Sequence, residues 1–172
     1  MRRLVFALAS LVVLGFAGTA SAQVTIGRSP ATAPVLGTTV RGSTTSVFSI
    51  SSTGAVTRLS GTAIRLSSTA VTVPTISIYC NLSNCITRRM RVTIIPAGQS
   101  ADAGIVNFRV SNLTGATWYT GAPADGSSIT FDLNPIGLLG TATFKLGMDV
   151  QLAAGSALGV ETFNYTVTAQ LL

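Results

Sequence analysis

The sequence has no histidine and few charged residues, with 11 lysines and arginines against 5 aspartates and glutamates among 172 residues. Histidine is the side chain that most often moves protons near neutral pH, so its absence removes the usual base of a nucleophilic enzyme. The acidic residues form no D-x-D-x-D calcium pattern, although a glycosidase-like carboxylate pair stays open because such pairing is spatial. We predict a non-enzyme without metal or cofactor, whose acidic residues are surface charges: Asp102, Asp125, Asp132, Asp149 and Glu161.

Phosphate-binding and dinucleotide-binding glycine motifs are also missing. The net charge of +6 would suit an acidic partner, a polyanionic glycan or lipid headgroups, although such a balance more often reflects a sparsely charged, soluble surface. A nucleic-acid interface would need clustered arginines interleaved with aromatic residues, whereas apart from the stretch TRRMR the arginines are scattered. We therefore predict no nucleic-acid partner.

Only two cysteines are present, Cys80 and Cys85, separated by four residues. Zinc would require further cysteine or histidine ligands, and a redox dithiol usually has the tighter C-x-x-C spacing. In an oxidising compartment this pair predicts one structural disulfide.

The N-terminus has the pattern of a secretory signal. Arg2 and Arg3 precede the apolar run LVFALASLVVLGFAG, and small residues follow up to Ala22. The run is shorter than a membrane-spanning helix and is interrupted by Ser10 and Gly15, while the twin-arginine route remains a weaker alternative. We predict a cleaved signal at residues 1–22, one domain at 23–172 with no transmembrane segment, and export to the periplasm or cell surface.

Short runs of alternating apolar and polar residues dominate the remaining chain and predict an all-β protein. Because one sheet alone would leave an apolar face in water, we expect an antiparallel two-sheet β-sandwich, immunoglobulin-like or pilin-like. The predicted strands are 47–50, 63–66, 70–73, 75–79, 89–95, 105–110, 127–133, 141–150 and 163–172.

The last two predicted strands match in length and pattern. In FNYTVTAQLL the apolar side chains of Phe163, Tyr165, Val167, Ala169 and Leu171 share one face. Phe144, Leu146 and Met148 share a face of TATFKLGMDV, together with Ala142 and Val150. The loop between these strands is rich in glycine and small residues, so we expect them to pair as an antiparallel hairpin.

Two further features are candidate binding elements. Arg89 and Arg91, which follow the cysteines, would lie on one strand face and could hold a carboxylate or sulfate, although such a pair is more often a solvated face. Trp118 and Tyr119, which lie between two glycines, could stack on a sugar ring, although a lone tryptophan is more often part of the core.

Several stretches resemble a known family. VFSISSTGAVTRLSGTAIRL, TVPTISIYC and the C-terminal GTATFKLGMDVQLAAGSALGVETFNYTVTAQLL resemble the exported bacterial proteins grouped as domain of unknown function 4402 and, more distantly, the spore-coat-U-like and chaperone-usher pilin subunits. The resemblance implies no catalytic residues.

The pilin-like relationship implies a sandwich that lacks one strand. A periplasmic chaperone, and later a like subunit, would add that strand beside the C-terminal strand. The groove would be lined by the apolar residues of 163–172, with Phe144, Leu146 and Met148 behind them, and the donor would come from residues 23–40. We thus expect an adhesive or structural fimbria-like subunit of a Gram-negative-type cell, or alternatively a self-contained glycan- or matrix-binding module.

Overall fold

The structure is a computed structural model that describes residues 24–40, 42–155 and 160–172. The predicted signal at residues 1–22 lies outside this part. Within the described residues, no helix is long and apolar enough to cross a membrane.

The described chain is nearly all β, and every strand pairing is antiparallel. One short 3-10 helix, Ser83–Ile86, follows the sixth strand. The strands are β1 (Val24–Ser29), β2 (Thr39–Val40), β3 (Ser46–Ile50), β4 (Val56–Ser60), β5 (Ile64–Arg65), β6 (Thr75–Cys80), β7 (Met90–Pro96), β8 (Ala103–Thr114), β9 (Ile129–Leu133), β10 (Gly140–Leu152) and β11 (Tyr165–Leu171).

Strand β10 is the centre of a six-stranded sheet. Along one side it pairs with β8. Along the other side its first half pairs with β6 and its second half with β3, so β6 and β3 lie end to end. Strands β1 and β4 then lie outside β6 and β3 respectively. Because β10 has neighbours on both sides, it has no edge left for a further strand.

A second sheet of three strands has the order β11-β7-β9, and β2 pairs with β5 in a small ribbon. The expected hairpin between β10 and β11 is therefore wrong, since β11 pairs with β7 instead. Short loops usually join paired strands, but here both sides of β10 are taken by β8, β6 and β3. The chain after β10 consequently crosses to the other sheet.

Residues of both sheets contribute to one buried cluster. Alternation in the predicted strand 127–133 puts Ile129, Phe131 and Leu133 on the inward face, and all three are buried. Burying this much apolar surface is the main favourable term in folding. The predicted partners on β10 are all buried: Ala142, Phe144, Leu146, Met148 and Val150.

The predicted disulfide joins Cys80, the last residue of β6, to Cys85 in the 3-10 helix. The two Cα atoms are 6.3 Å apart, within the usual range for a disulfide. Both cysteines are fully buried. The bridge therefore fixes the turn between β6 and β7.

Three details of the strand predictions were wrong. Alternation in the predicted strand 105–110 puts Val106, Phe108 and Val110 on one buried face, but Val106 is 37% exposed, because a bulge places Ile105 opposite Val150 and leaves Val106 without a register partner. The stretch 70–73 forms no strand, and Val71 instead donates its N–H to the carbonyl of Gly54 in a loop. Asp149, expected to be a surface charge, is buried.

Candidate functional site: the outer edge of the C-terminal strand

Strand β11 lies at one end of the three-stranded sheet and pairs on one side only, with β7. No other described residue forms a strand pairing or an isolated bridge with it. An edge strand of this length exposes a row of main-chain donors and acceptors that another strand can use.

The register identifies which main-chain groups point outward. Asn164, just before β11, accepts a hydrogen bond from the N–H of Ala97, and Leu172, just after it, donates to the carbonyl of Arg89. In an antiparallel ladder the bonded residues alternate, so the even-numbered residues of β11 bond to β7. Pro96, which has no N–H, lies opposite Tyr165 and fits this phase. The odd-numbered residues therefore direct their N–H and C=O groups away from β7.

The same odd-numbered residues carry the apolar side chains of the strand. Phe163 and Tyr165 are buried, whereas Val167, Ala169 and Leu171 are only half-buried. The polar residues between them, Thr166, Thr168 and Gln170, are exposed. Cover of the apolar face is thus complete at the start of β11 and incomplete along the rest of it.

Across the core, Phe144, Leu146 and Met148 of β10 are buried almost completely. They belong to the six-stranded sheet, whereas β11 belongs to the three-stranded one. Tyr165 connects the two layers, since its ring lies edge-on to Phe108 of β8 with the ring centroids 6.3 Å apart. Phe144, Leu146 and Met148 therefore belong to the core that lies beneath β11.

Arg28 of β1 lies against the start of β11. Its guanidinium lies 5.2 Å from the centre of the Tyr165 ring and donates a hydrogen bond of 3.4 Å to the Tyr165 carbonyl. Just before β11, the outward N–H of Phe163 donates to the carbonyl of Pro34. The Tyr165 carbonyl is the first outward-directed C=O within β11, so Arg28 occupies the beginning of the open edge. Burial raises the pKa of Tyr165, and the positive charge of Arg28 partly offsets that rise. The sequence analysis did not single out Arg28, because only the fold brings residues 28 and 165 together.

The predicted donor segment has a place in its own chain. Residues 24–29 form β1, which pairs along its full length with β6. Val24 and Ile26 are half-buried against the core. Gly27 is also half-buried, whereas Thr25, Arg28 and Ser29 are exposed. Strand β1 is thus the edge of the six-stranded sheet on the same side of the molecule as β11.

The predicted arginine pair is partly neutralised by a neighbouring carboxylate. Arg91 forms two hydrogen bonds with Asp132, of 2.8 and 3.0 Å, and Arg89 lies 3.9 Å from the same carboxylate. The hydrogen bonds and charge of Arg91 lower the pKa of Asp132. The guanidinium of Arg89 also stacks on the Tyr119 ring, at 4.1 Å from its centre. Asp132 thus takes the place that an external anion would take beside Arg91.

Trp118 and Tyr119 have different surroundings although they are adjacent. Trp118 is half-buried, with its ring edge-on to Phe131 at a centroid distance of 5.2 Å. Tyr119 is 50% exposed. The tyrosine is therefore the more exposed of the two rings, although the Arg89 guanidinium lies against it.

An ionic cluster around the buried Asp149 was missed by the sequence analysis. Asp149 of β10 lies within 3.4 Å of the Arg109 guanidinium of β8 and accepts a hydrogen bond from Asn107. Arg109 also forms a 2.7 Å ion pair with Asp125 of the β8–β9 loop. Burial alone would raise the pKa of Asp149, but hydrogen bonds from Ser49 and Asn107 together with Arg109 outweigh it and lower the value. The Arg109 guanidinium also donates to Ser49 of β3, so it joins β8 to β3, β10 and the β8–β9 loop. Pairing between strands so far apart in sequence gives no sequence signal.

The described residues contain no group of three or more histidines, cysteines, aspartates or glutamates that could hold a metal. Comparisons of the chain with models of known protein families, with curated proteins and with solved structures found no match.

Proposed function

We propose that this protein is an exported structural or adhesive subunit that assembles by β-strand addition at the outer edge of β11. The observation that carries the proposal is the open edge itself. The outward main-chain groups of Val167, Ala169 and Leu171 coincide with their half-covered apolar side chains. An added strand would form hydrogen bonds with these main-chain groups and would cover these apolar side chains.

Export and the sandwich architecture are parts of the same proposal. Residues 1–22 have the charged, apolar and small-residue regions of a cleaved signal, and a disulfide is typical of proteins that leave the reducing cytoplasm. In support of a two-sheet sandwich, buried side chains from the three-stranded and six-stranded sheets belong to one cluster. The resemblance to domain of unknown function 4402 and to pilin subunits agrees with this scheme.

In this mechanism the donor is the N-terminal segment of a neighbouring copy, or a strand of a periplasmic chaperone before assembly. The donor would pair with the odd-numbered residues of β11 and place alternate apolar side chains beside them. For a copy to donate residues 24–29, these must leave β6 of their own chain, where they now form an edge strand. Exchange of an edge strand breaks one ladder and forms another, so its net cost is small and assembly depends on concentration.

A pair of proline variants tests the proposal. Ala169→Pro removes an N–H that points away from β7, so we expect a folded protein whose free energy of unfolding changes by less than about 1 kcal/mol but which no longer assembles. Thr168→Pro removes an N–H bonded to β7 and should cost about 3 kcal/mol. The protein would be purified from the oxidising compartment, and its size and thermal unfolding measured with and without a peptide of residues 23–40.

Stable oligomers, or a rise in melting temperature with the peptide, that disappear in Ala169→Pro would support strand addition. The proposal would be contradicted by a monomer whose melting temperature changes neither with the peptide nor in Ala169→Pro.

The second candidate is a self-contained glycan-binding module, and the exposed Tyr119 ring with Arg89 stacked on it favours that function. Sugars bind through stacking on aromatic rings combined with hydrogen bonds from charged groups. Tyr119→Ala should then abolish retention on a glycan array while leaving the melting temperature unchanged. Unchanged retention would remove this site.

A further inference from the structure

A cleft of about 430 Å³ opens beside the β3–β4 hairpin and β5, away from β11. Half-buried Val56 and exposed Ile64 provide apolar surface, and the almost fully buried Phe48 also lines the cleft. The volume lies within the range of small-ligand sites. The cleft is therefore large enough for a compact ring compound.

Two arginines, Arg58 and Arg65, line this cleft, and main-chain carbonyls hold both of them in place. Arg58 donates a 2.8 Å hydrogen bond to the carbonyl of Ala63. Arg65 donates 2.6 Å hydrogen bonds to the carbonyls of Leu36 and Thr69. Each guanidinium has five N–H donors, so both retain donors for a ligand. A guanidinium already held by the protein loses little conformational freedom when it binds an anion.

The charge of the cleft is not compensated locally. None of the residues that line it is acidic, and Ser67 and Ser68 complete its wall. Among the described residues, neither Arg58 nor Arg65 forms an ion pair with a carboxylate. This differs from Arg91 and Arg109, each of which has an aspartate within 3 Å. The cleft thus places two positive charges beside an apolar surface.

We propose that this cleft binds a carboxylated saccharide, with the carboxylate held by Arg58 and Arg65. The planar forks of the two guanidiniums match a carboxylate. The apolar side chains suit the C–H face of a sugar ring, and the serine hydroxyls suit its hydroxyl groups. The site is separate from β11, so binding here adds a ligand function to the assembly function and does not depend on it.

The test is a calorimetric titration of the full exported protein, at low ionic strength, with a galacturonic acid trimer. The methyl ester of the same trimer is the uncharged probe, and sodium acetate is the small anion. We expect the trimer to bind, the ester to bind at least about tenfold more weakly, and acetate to be too weak to compete at equal concentration.

Variants then locate the site. Arg58→Gln should weaken trimer binding about tenfold or more, and Ser68→Asp, which brings a negative charge into the cleft, should act in the same direction. Lys145→Gln removes the same charge from β10, outside the cleft, and should change affinity less than twofold. Thermal unfolding of each variant checks that it is folded.

Absence of trimer binding would overturn the proposal, as would equal binding of trimer and ester or equal effects of Arg58→Gln and Lys145→Gln. Competition by acetate at the same concentration would overturn the saccharide class, because the cleft would then recognise any small carboxylate. Neither result affects the proline experiment on β11, so failure of one proposal is distinguishable from failure of the other.

Discussion

The two edge strands of the three-stranded sheet, β9 and β11, differ in whether another part of the chain pairs with their outer edge. The outer edge of β9 is covered by residues 117–119, since Tyr119 donates its N–H to the carbonyl of Asp132 and Asn134 donates to that of Thr117. The outer edge of β11 forms no strand pairing or bridge with any described residue, although Arg28 bonds to it at the Tyr165 carbonyl. The unpaired main-chain groups of an open sheet edge can pair with a strand of another chain, and most proteins cover such edges. The outer edge of β9 is protected and that of β11 is open, and the proposed assembly by strand addition requires this asymmetry.

The covered side is held by one loop, which runs from β8 to β9. Its first part pairs with β9, and its later part pairs with β8 through two hydrogen bonds between Gly126 and Phe108. Asp125 of the same loop bonds to Arg109 on the outer face of the six-stranded sheet. The loop thus closes the edges of both sheets on one side. On the other side, β1 lies beside β11, and Arg28 of β1 bonds to the carbonyl of Tyr165.

The largest expected effect comes from uncovering the protected edge. Trp118→Ala removes a half-buried ring that packs on Phe131, and we expect a loss of about 3 kcal/mol in the free energy of unfolding. Chemical denaturation measures it, and the exposed neighbour variant Tyr119→Ala is the control. A loss below about 1 kcal/mol would mean that the loop, without this ring, suffices to cover β9.

Alternation along the sequence was enough to predict the faces of regular strands, including Phe144 and Leu146 of β10 and the apolar face of β11. It failed at Val106, because a bulge changes the phase without leaving a composition signal. It also failed at Asp149, which lies in residues 146–150, the stretch of β10 that is buried on both faces.

The edge position of β11 could not be predicted from the sequence. Strand neighbours depend on which edges other strands already occupy, and β10 is paired on both sides by strands from distant parts of the chain. The roles of three arginines could not be predicted either, because their partners are main-chain carbonyls that only the fold brings near: Arg28, Arg58 and Arg65.

The next largest effect is expected at the open edge. Val167→Asp places a charge on a half-buried face, which should cost about 2 kcal/mol and abolish assembly. The matched control is Thr168→Asp, which adds the same charge to the exposed face of the same strand. Size-exclusion chromatography and denaturation of both variants measure the two effects. If Val167→Asp assembles as well as its control, the apolar face of β11 is not part of the interface.

A smaller effect is expected where the covering loop is tied to the six-stranded sheet. Asp149→Asn weakens the cluster around Arg109 and should cost roughly 1 kcal/mol at neutral pH. Because the pKa of Asp149 is lowered in the folded protein, its charge stabilises the fold above the ordinary aspartate pKa of 3.8. That stabilisation is lost as the pH falls below this value through the lowered pKa. Urea denaturation between pH 6 and 2, values chosen to span this range, should show a shallower acid loss for Asp149→Asn than for the wild type.

The smallest effect is expected for Asp132, whose ion pair with Arg91 lies on the solvent-facing side of the covered edge. Exposed ion pairs contribute little, because water and salt screen them. The pKa of Asp132 is lowered by Arg91, so the contribution again exists above the ordinary aspartate pKa and disappears as the pH falls. The carbonyl of Asp132, by contrast, receives the N–H of Tyr119, and this bond does not depend on the side chain. Asp132→Asn should therefore change stability less than Asp149→Asn and should lose its effect in high salt. A larger loss than for Asp149→Asn would show that charge, rather than main-chain pairing and the Trp118 ring, protects the edge of β9.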